Sequence, residues 1–496
     1  MDILGGEIML KTSEIKRLID ADLISRRKKY AAIGQRYYEA EHDIKDYRLF
    51  YYNADGDLVE DKCRSNERIS HPFFTEQVDQ LTSYILSCSE NPVRAIETAE
   101  GLQEHLDAYF DEEFWSEFGE LLTGTQIKGF DYLYAYKNAQ DRTAFEYADG
   151  MGVVEVRAED TDDKCDYYIY WYIDRIGKNN TPITRIQVHN DKEIYYYVQS
   201  GSGEIKLDKE KKFNPQPNVI YVDTRTGEKF GASLGFMPFF RLDYNRKQIS
   251  HLKPIKALID DYDLMECGLS NNLQDLTEGV FVVKGFAGDN MDELLQNLKT
   301  KKAIGVTEEG DVDIRTVNIP YEARKTKADE DEKNIYRFGM ALNSQGLKDT
   351  TATTNIAIKM AYTLLDLKAV KFEKRIKKFL RKIIRIVLDE INSVNGTDYQ
   401  MKDVSIVFKH EMLVNEQENV QNDKTRAETK QIELNNVLSS AQFIGDEDTL
   451  KAICDILDLD FDKIRSKKQA ETDIDTAANI LDSLSVDPAE GDMIEQ

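Results

Sequence analysis

Gly231-Ala232-Ser233-Leu234-Gly235 spells the G-x-S-x-G pattern in which a serine can act as nucleophile. That chemistry needs a sharp strand-to-helix turn, and here Pro238 and the aromatic pair Phe239-Phe240 follow instead. Asp260-Asp261 and the run Asp329 to Glu332 offer hard oxygen donors of the kind that hold Mg²⁺. Set in charged helical surroundings, they read as solvated faces, and no metal is expected. The six histidines (His42, His71, His105, His189, His251, His410) lie far apart and form no H-E-x-x-H. No G-x-x-x-x-G-K-[ST] loop is present; Gly201 to Lys206 is too short and falls among strand-like residues. Cys63, Cys88, Cys165, Cys267 and Cys454 are scattered, without a C-x-x-C, as expected of reduced thiols. Neither an enzyme nor a cofactor is expected.

What remains is polar and cationic. Asn343 to Thr354 contains Gly346 and four threonines and reads as a loop. Lys368 to Arg385 holds nine Lys or Arg against one acid, Glu373. The same segment carries an apolar stripe, so its helix is expected to pack within protein and its bases to pair with acidic protein surface rather than with DNA.

The elements that must position these residues are legible in outline. The chain has 496 residues, 41% hydrophobic and 31% charged, with 26 Tyr and 21 Phe, enough to bury sizeable cores. Its net charge of -26 lacks the basic balance of a tight nucleic-acid binder. No apolar run nears the roughly 18 residues of a membrane span, and the first thirty residues lack a signal-peptide pattern, so a cytosolic protein is expected.

Residues 7–50 read as helical, with turn chemistry at Asn53 to Asp57. A helix opens at His71-Pro72-Phe73-Phe74 and runs toward Asn91-Pro92; residues 98–130 give one or two more, closing near Gly129. From 131 to 242 the period drops to two, giving six or more short, mostly antiparallel strands. Their aromatic density, Tyr167 to Tyr172 and Tyr195 to Tyr197, is read as sheet packing rather than a base-stacking platform. A helix from about Ser250 to Gly279, with Pro254 in its first turn, precedes a compact unit, VFVVKGF, a small helix at MDELLQNLKT, and KAIGVTEEGDVDIRTVNIP. A charged helix spans Pro320 to about Met340. The longest helix runs from Asn355 to about Val394, roughly eleven turns. VSIVFKH (404–410) is a strand that must rejoin an earlier sheet, and 415–470 is helical again.

The order of these elements resembles the portal proteins of long-tailed bacteriophages of Gram-positive bacteria. The residues that carry the resemblance are His71-Pro72-Phe73-Phe74 with Val78-Asp79 and Tyr84-Ile85-Leu86, Gly129-Phe130-Asp131-Tyr132-Leu133-Tyr134, and Gly235-Phe236-Met237-Pro238-Phe239-Phe240 with Asn245 and Leu252. It continues through Ile255 to Asp263, Ser270 to Leu273, Val282 to Gly285, Ile335 to Gly339, Ala357-Ile358-Lys359 and Leu364 to Ala369.

The resemblance implies an α+β portal fold assembled as a cyclic ring of about twelve subunits. It divides the chain into a wing (1–249), a first stem helix (250–279), a small α/β clip (280–319), a second stem helix (320–341) and a tunnel loop (342–354). A spine helix (355–397), a wing strand (398–411), a crown (412–470) and an acidic mobile tail (471–496) follow. It further implies a DNA channel at the capsid vertex of the virion, assembled in the host cytoplasm. Partners would be double-stranded DNA, the large terminase, a scaffold, the major capsid protein and connector adaptors. Ser344, Gln345, Lys348, Thr350 and Thr351 would line the channel, with Arg324, Lys325 and Lys327 as basic candidates on the stem. Where the family shows Ser-Gly ahead of Ala-x-Lys, this chain has Thr354-Asn355; Asn is the next most tolerant residue of left-handed backbone. Two rival readings are a cytosolic scaffold without a channel and a metal-dependent nucleic-acid enzyme.

Overall fold

The structure is a computed structural model describing residues 10–53, 55–62, 64–87, 90–157, 165–176, 181–222, 226, 228–275, 280–286, 306–315, 321–343, 355–410, 424, 428–440, 445–457, 461 and 464–465. The chain divides into one unit of residues 1–349 with 359–412 and a second of 350–358 with 413–496.

The first unit begins with α1 (Thr12–Leu23) and α2 (Arg26–Tyr38). The expected single helical stretch is broken here because Ser25 caps α2, its side chain accepting from Lys28 N. Beyond Tyr38 the chain turns at Ala40 (φ 58°), and a hairpin of β1 (Phe50–Tyr52) and β2 (Leu58–Glu60) follows. The turn chemistry at Asn53 closes it, Asn53 Oδ1 accepting from the backbone of Asp55 and Asp57. Helix α3 (Phe73–Leu86) stops short of Asn91, and β3 (Val93–Ala95) and α4 (Leu102–Asp107) precede α5 (Glu112–Lys128). Asp111 caps α5, and Gly129 ends it at φ +89°. A Cβ on Gly129 would lie 2.6 Å from the Gln248 backbone, so left-handed conformation and close approach both demand glycine.

The strand region is antiparallel throughout its described pairings. β4 (Phe130–Lys137) lies between β5 (Thr143–Ala148) and β14 (Phe239–Asp243). A larger sheet runs β10 (Lys206–Leu207), β9 (Glu193–Ser200), β8 (Pro182–His189), β7 (Tyr167–Ile176), β6 (Val153–Val156), with β11 (Gln216–Pro217) also on β9. β12 (Val219–Val222) and β13 (Lys229–Ala232) form a separate ribbon. Ile15 and Ile19 of α1 pack on Ile169, Ile186, Val188 and Tyr197 of the larger sheet. Tyr168 stacks on Phe239 at 5.2 Å, and Tyr197 is buried, so these rings serve packing as expected.

Helix α6 (Lys256–Asp275) starts after a turn containing Pro254, so the proline precedes the helix instead of sitting in its first turn. β15 (Val280–Phe286) pairs with β16 (Val306–Arg315); the small helix expected between them lies outside the described residues. Helix α7 (Tyr321–Gly339) packs antiparallel on α6, Lys327 meeting Asp261 while Arg324 lies beside Gly268. Helix α8 (Asn355–Asn395) has 41 residues, a length of about 60 Å. Leu365, Ala369, Phe372, Ile376, Phe379, Ile383 and Val387 are all buried, which confirms the stripe. β16 is followed much later by β17 (Val404–Ile406), shorter than expected, which pairs with β3 and not with the aromatic sheet.

In the second unit, residues 428–440 are helical and α9 (Asp446–Leu457) follows Gly445, so the helical reading holds for these described stretches.

Candidate functional site

The expected loop residues Ser344, Gln345, Lys348, Thr350 and Thr351 lie outside the described residues, but the entry to that loop is well defined. Helix α7 ends at Gly339, and Met340 takes a left-handed φ of 52°. Ala341 N donates to Tyr336 O at 3.0 Å, closing a Schellman-type stop without its usual glycine. Two glutamines of α3 hold this end. Gln77 Nε2 donates to Ile335 O, and Gln80 exchanges hydrogen bonds with the backbone of Leu342, at 2.9 and 3.1 Å. A Cβ on Gly339 would fall 2.0 Å from Gln77 Oε1, so only glycine allows the contact.

The basic candidates on α7 divide. Lys327 bridges Asp261, at 2.6 Å, and Asp331, which hold its ammonium charged. It is therefore neutralised inside its own chain. Arg324 is half-buried against Gly268, and Lys325 is exposed. The same pairings answer the acidic runs: Asp260 accepts from Tyr37 Oη and Lys256, while Asp261 and Asp331 share Lys327. Among the described residues, no group of three or more His, Cys, Asp or Glu could hold a metal ion. Ser233 Oγ donates to Asp191 O and accepts from Gly235 N, and β13 runs into no helix, so no nucleophile elbow forms.

Sequence reasoning missed two buried clusters. In the first, Asp263 of α6 is enclosed between His42 Nδ1 at 2.6 Å and His71 Nδ1 at 2.7 Å, with His71 N also donating at 3.0 Å. Burial pushes its carboxyl upward, but hydrogen bonds from both imidazoles prevail and hold it below the usual range. The His42 ring stacks on Tyr37 at 4.4 Å, tying α6 to α2. In the second, Lys368 of α8 is buried, its Nζ 2.5 Å from His251 Nε2 and 2.6 Å from Gly339 O. Burial alone pushes this amine down to about 7. A signal for it existed: position 368 falls within the Leu365–Phe372 stripe. No local signal marks the first, whose partners are 192 and 221 residues apart.

The basic run on α8 is likewise partly engaged. Lys377 pairs with Glu373 at 3.3 Å, and Glu373 also meets His410 Nε2 at 2.5 Å. Lys371, Lys374, Lys378, Arg381, Lys382 and Arg385 are exposed.

An α+β chain with two paired helices flanking a β-ribbon, then a long buried-stripe helix, defines a class that comparison identifies. Residues 18–473 match the family described as phage portal protein, SPP1 Gp6-like, and the chain belongs to that family. It is 25% identical over 390 residues to the portal protein of Bacillus phage SPP1, covering 78% of this chain and 75% of that protein. It is 24% identical over 425 residues to the portal protein of Clostridium phage phiCD119, covering 82% of this chain and 88% of the relative. A solved neck of a native GTA particle, computed with C12 symmetry, aligns at 12% identity and a TM-score of 0.30, over 60% of this chain and 71% of that one, too distant to bear on the fold. The resemblance read from the sequence is confirmed at the level of the family. Among the described residues, no helix is long and apolar enough to cross a membrane.

Proposed function

We propose that the chain is one subunit of a cyclic ring of about twelve copies at the capsid vertex, a channel through which double-stranded DNA is packaged, retained and ejected. The observation that carries this reading is the family match over residues 18–473. In this reading residues 1–249 and 398–411 are the wing, α6 and α7 the stem, and 280–319 the clip that meets connector adaptors. The segment 342–354 is the tunnel loop, α8 the spine and 412–470 the crown. Terminase, scaffold and major capsid protein dock on the assembled ring, which performs no catalysis of its own.

Electrostatics supports a sliding surface. Each chain carries -26, so twelve would carry on the order of -300, which disfavours adhesion of a polyanion. Cations that reach the bore are local exceptions. Lys348 in the loop and Lys325 on α7 fit that role; Lys327, held by two carboxylates, fits it poorly.

Negative-stain microscopy of the purified protein, with particle mass measured alongside, tests the reading. Rings of about twelve subunits with a central hole are expected. A compact dimer or tetramer without a hole, persisting at high concentration, overturns it.

A further inference from the structure

A cavity of about 430 Å³ opens where the turn before α6, the end of α7 and the middle of α8 meet. Its walls are largely apolar, with rings from Tyr244, Phe338 and Phe372, and no carboxylate lines it. Lys368 lies in it, buried, with only a neutral imidazole and a backbone carbonyl as partners. Lys253 and Lys371 also line it, and both are exposed. His251 Nδ1, buried beside them, has no hydrogen-bond partner. A buried ammonium is ordinarily matched by an anion, and every other buried lysine outside this cavity whose partners are described has one: Lys28 reaches Asp22, and Lys128 reaches Asp131 and Asp149.

We propose that this cavity is a binding site for a carboxylate carried on an apolar or aromatic body. The carboxylate would take the place of the missing counter-charge at Lys368, while the apolar walls cover the body. A single buried amine matches one negative charge better than a multiply charged phosphate, whose hydration the apolar walls could not replace. The carboxylate could come from a free small acid or from an acidic side chain of a second copy of this chain, which carries 91 Asp and Glu. Only the second source rests on the ring reading. Because Lys368 also holds Gly339 O, occupancy would alter the grip on the end of α7 and on the segment that leaves it.

The test is acylation of the wild-type protein at pH 8 with a small amine-reactive ester, read peptide by peptide by mass spectrometry, with exposed Lys325 as internal reference. It is run on dilute chain and on concentrated protein whose mass is measured in parallel, with benzoate as the probe. A site for a free acid predicts that Lys368 reacts in the dilute chain and is protected saturably by benzoate while Lys325 is unaffected. A site filled by a neighbour predicts protection of Lys368 on assembly without benzoate. The Lys368→Met chain, if it melts cooperatively, should lose saturable benzoate binding in ligand-observed NMR. Lys368 that is inert in the dilute chain, or equally reactive under all conditions, overturns the proposal. If no ring forms, the benzoate arm still decides the site, so failure of the ring reading and failure of this one are distinguishable.

Discussion

His42 Nδ1 lies 2.6 Å from Asp263 Oδ2, and both side chains are wholly buried, 221 residues apart in sequence. This pair, completed by His71 on the other carboxylate oxygen, fastens α6 to the α2 and α3 layer. Removing the carboxylate strands two imidazoles and the His71 amide. Asp263→Ala is therefore expected to cost about 3–5 kcal/mol, by analogy with broken buried pairs, and Asp263→Asn less, because an amide oxygen can still accept. Urea unfolding of both variants checks the order.

The same carboxylate sets an acid limit. Its folded pKa lies below its unfolded value, so its contribution is fully present above about pH 4 and is lost as pH falls through the folded pKa. Stability measured from pH 5 downward should fall less steeply in Asp263→Asn than in the wild type.

How much of this was readable in advance follows from where each signal resides. The stripe from Leu365 to Val387 is local, repeated over many turns and buried as expected, so α8 was legible almost to the residue. Gly129 carried its own stop signal. The hairpin at 50–60 shows only its turn in the sequence: Phe50, Tyr51, Tyr52, Leu58 and Val59 are all exposed, so no alternation of buried and solvent faces marks its strands. The Asp263 clasp and the Lys368 cavity depend on chain segments brought together only by folding. The loop candidates Ser344 to Thr351 stand on the resemblance alone.

Lys368 gives a pH signature of the same sign at higher pH, although its shift reflects a buried charge that is penalised and not one that is held. Burial lowers its amine from 10.5 to about 7, so between those limits the unfolded chain binds more protons than the folded one. Stability contributed by this site should therefore rise with pH from about 7 to about 10, at up to roughly 1.4 kcal/mol per pH unit. Denaturant midpoints across that range should be flatter in Lys368→Met; an equal slope in both chains would remove Lys368 as the cause.

Gly339 tests the grip of α3 on the loop entry. An alanine there forces Gln77 out of place, since the added methyl would lie 2.0 Å from Gln77 Oε1. Gly339→Ala should cost about 1–3 kcal/mol, as overpacking does. Truncating the obstacle relieves part of that strain, so Gln77→Ala combined with Gly339→Ala should cost less than the sum of the two. A double-mutant cycle by urea unfolding measures the difference, and strict additivity would place the strain elsewhere.

The divided fate of the α7 cations yields a prediction about DNA. If the ring is a channel, exposed Lys325, and Lys348 of the proposed tunnel loop, would be open to phosphates, whereas Lys327 already faces Asp261 and Asp331. Each phosphate neutralised contributes about 0.9 to the slope of log affinity against log salt. Lys325→Ala and Lys348→Ala rings should therefore show a shallower salt dependence of duplex binding than wild-type rings. Lys327→Ala should leave the slope unchanged but cost about 1–3 kcal/mol of stability, because the buried Asp331 carboxylate loses its ammonium partner. A shallower slope in Lys327→Ala would mean that the two carboxylates release the lysine to DNA, and that the stem is rearranged when the bore is filled.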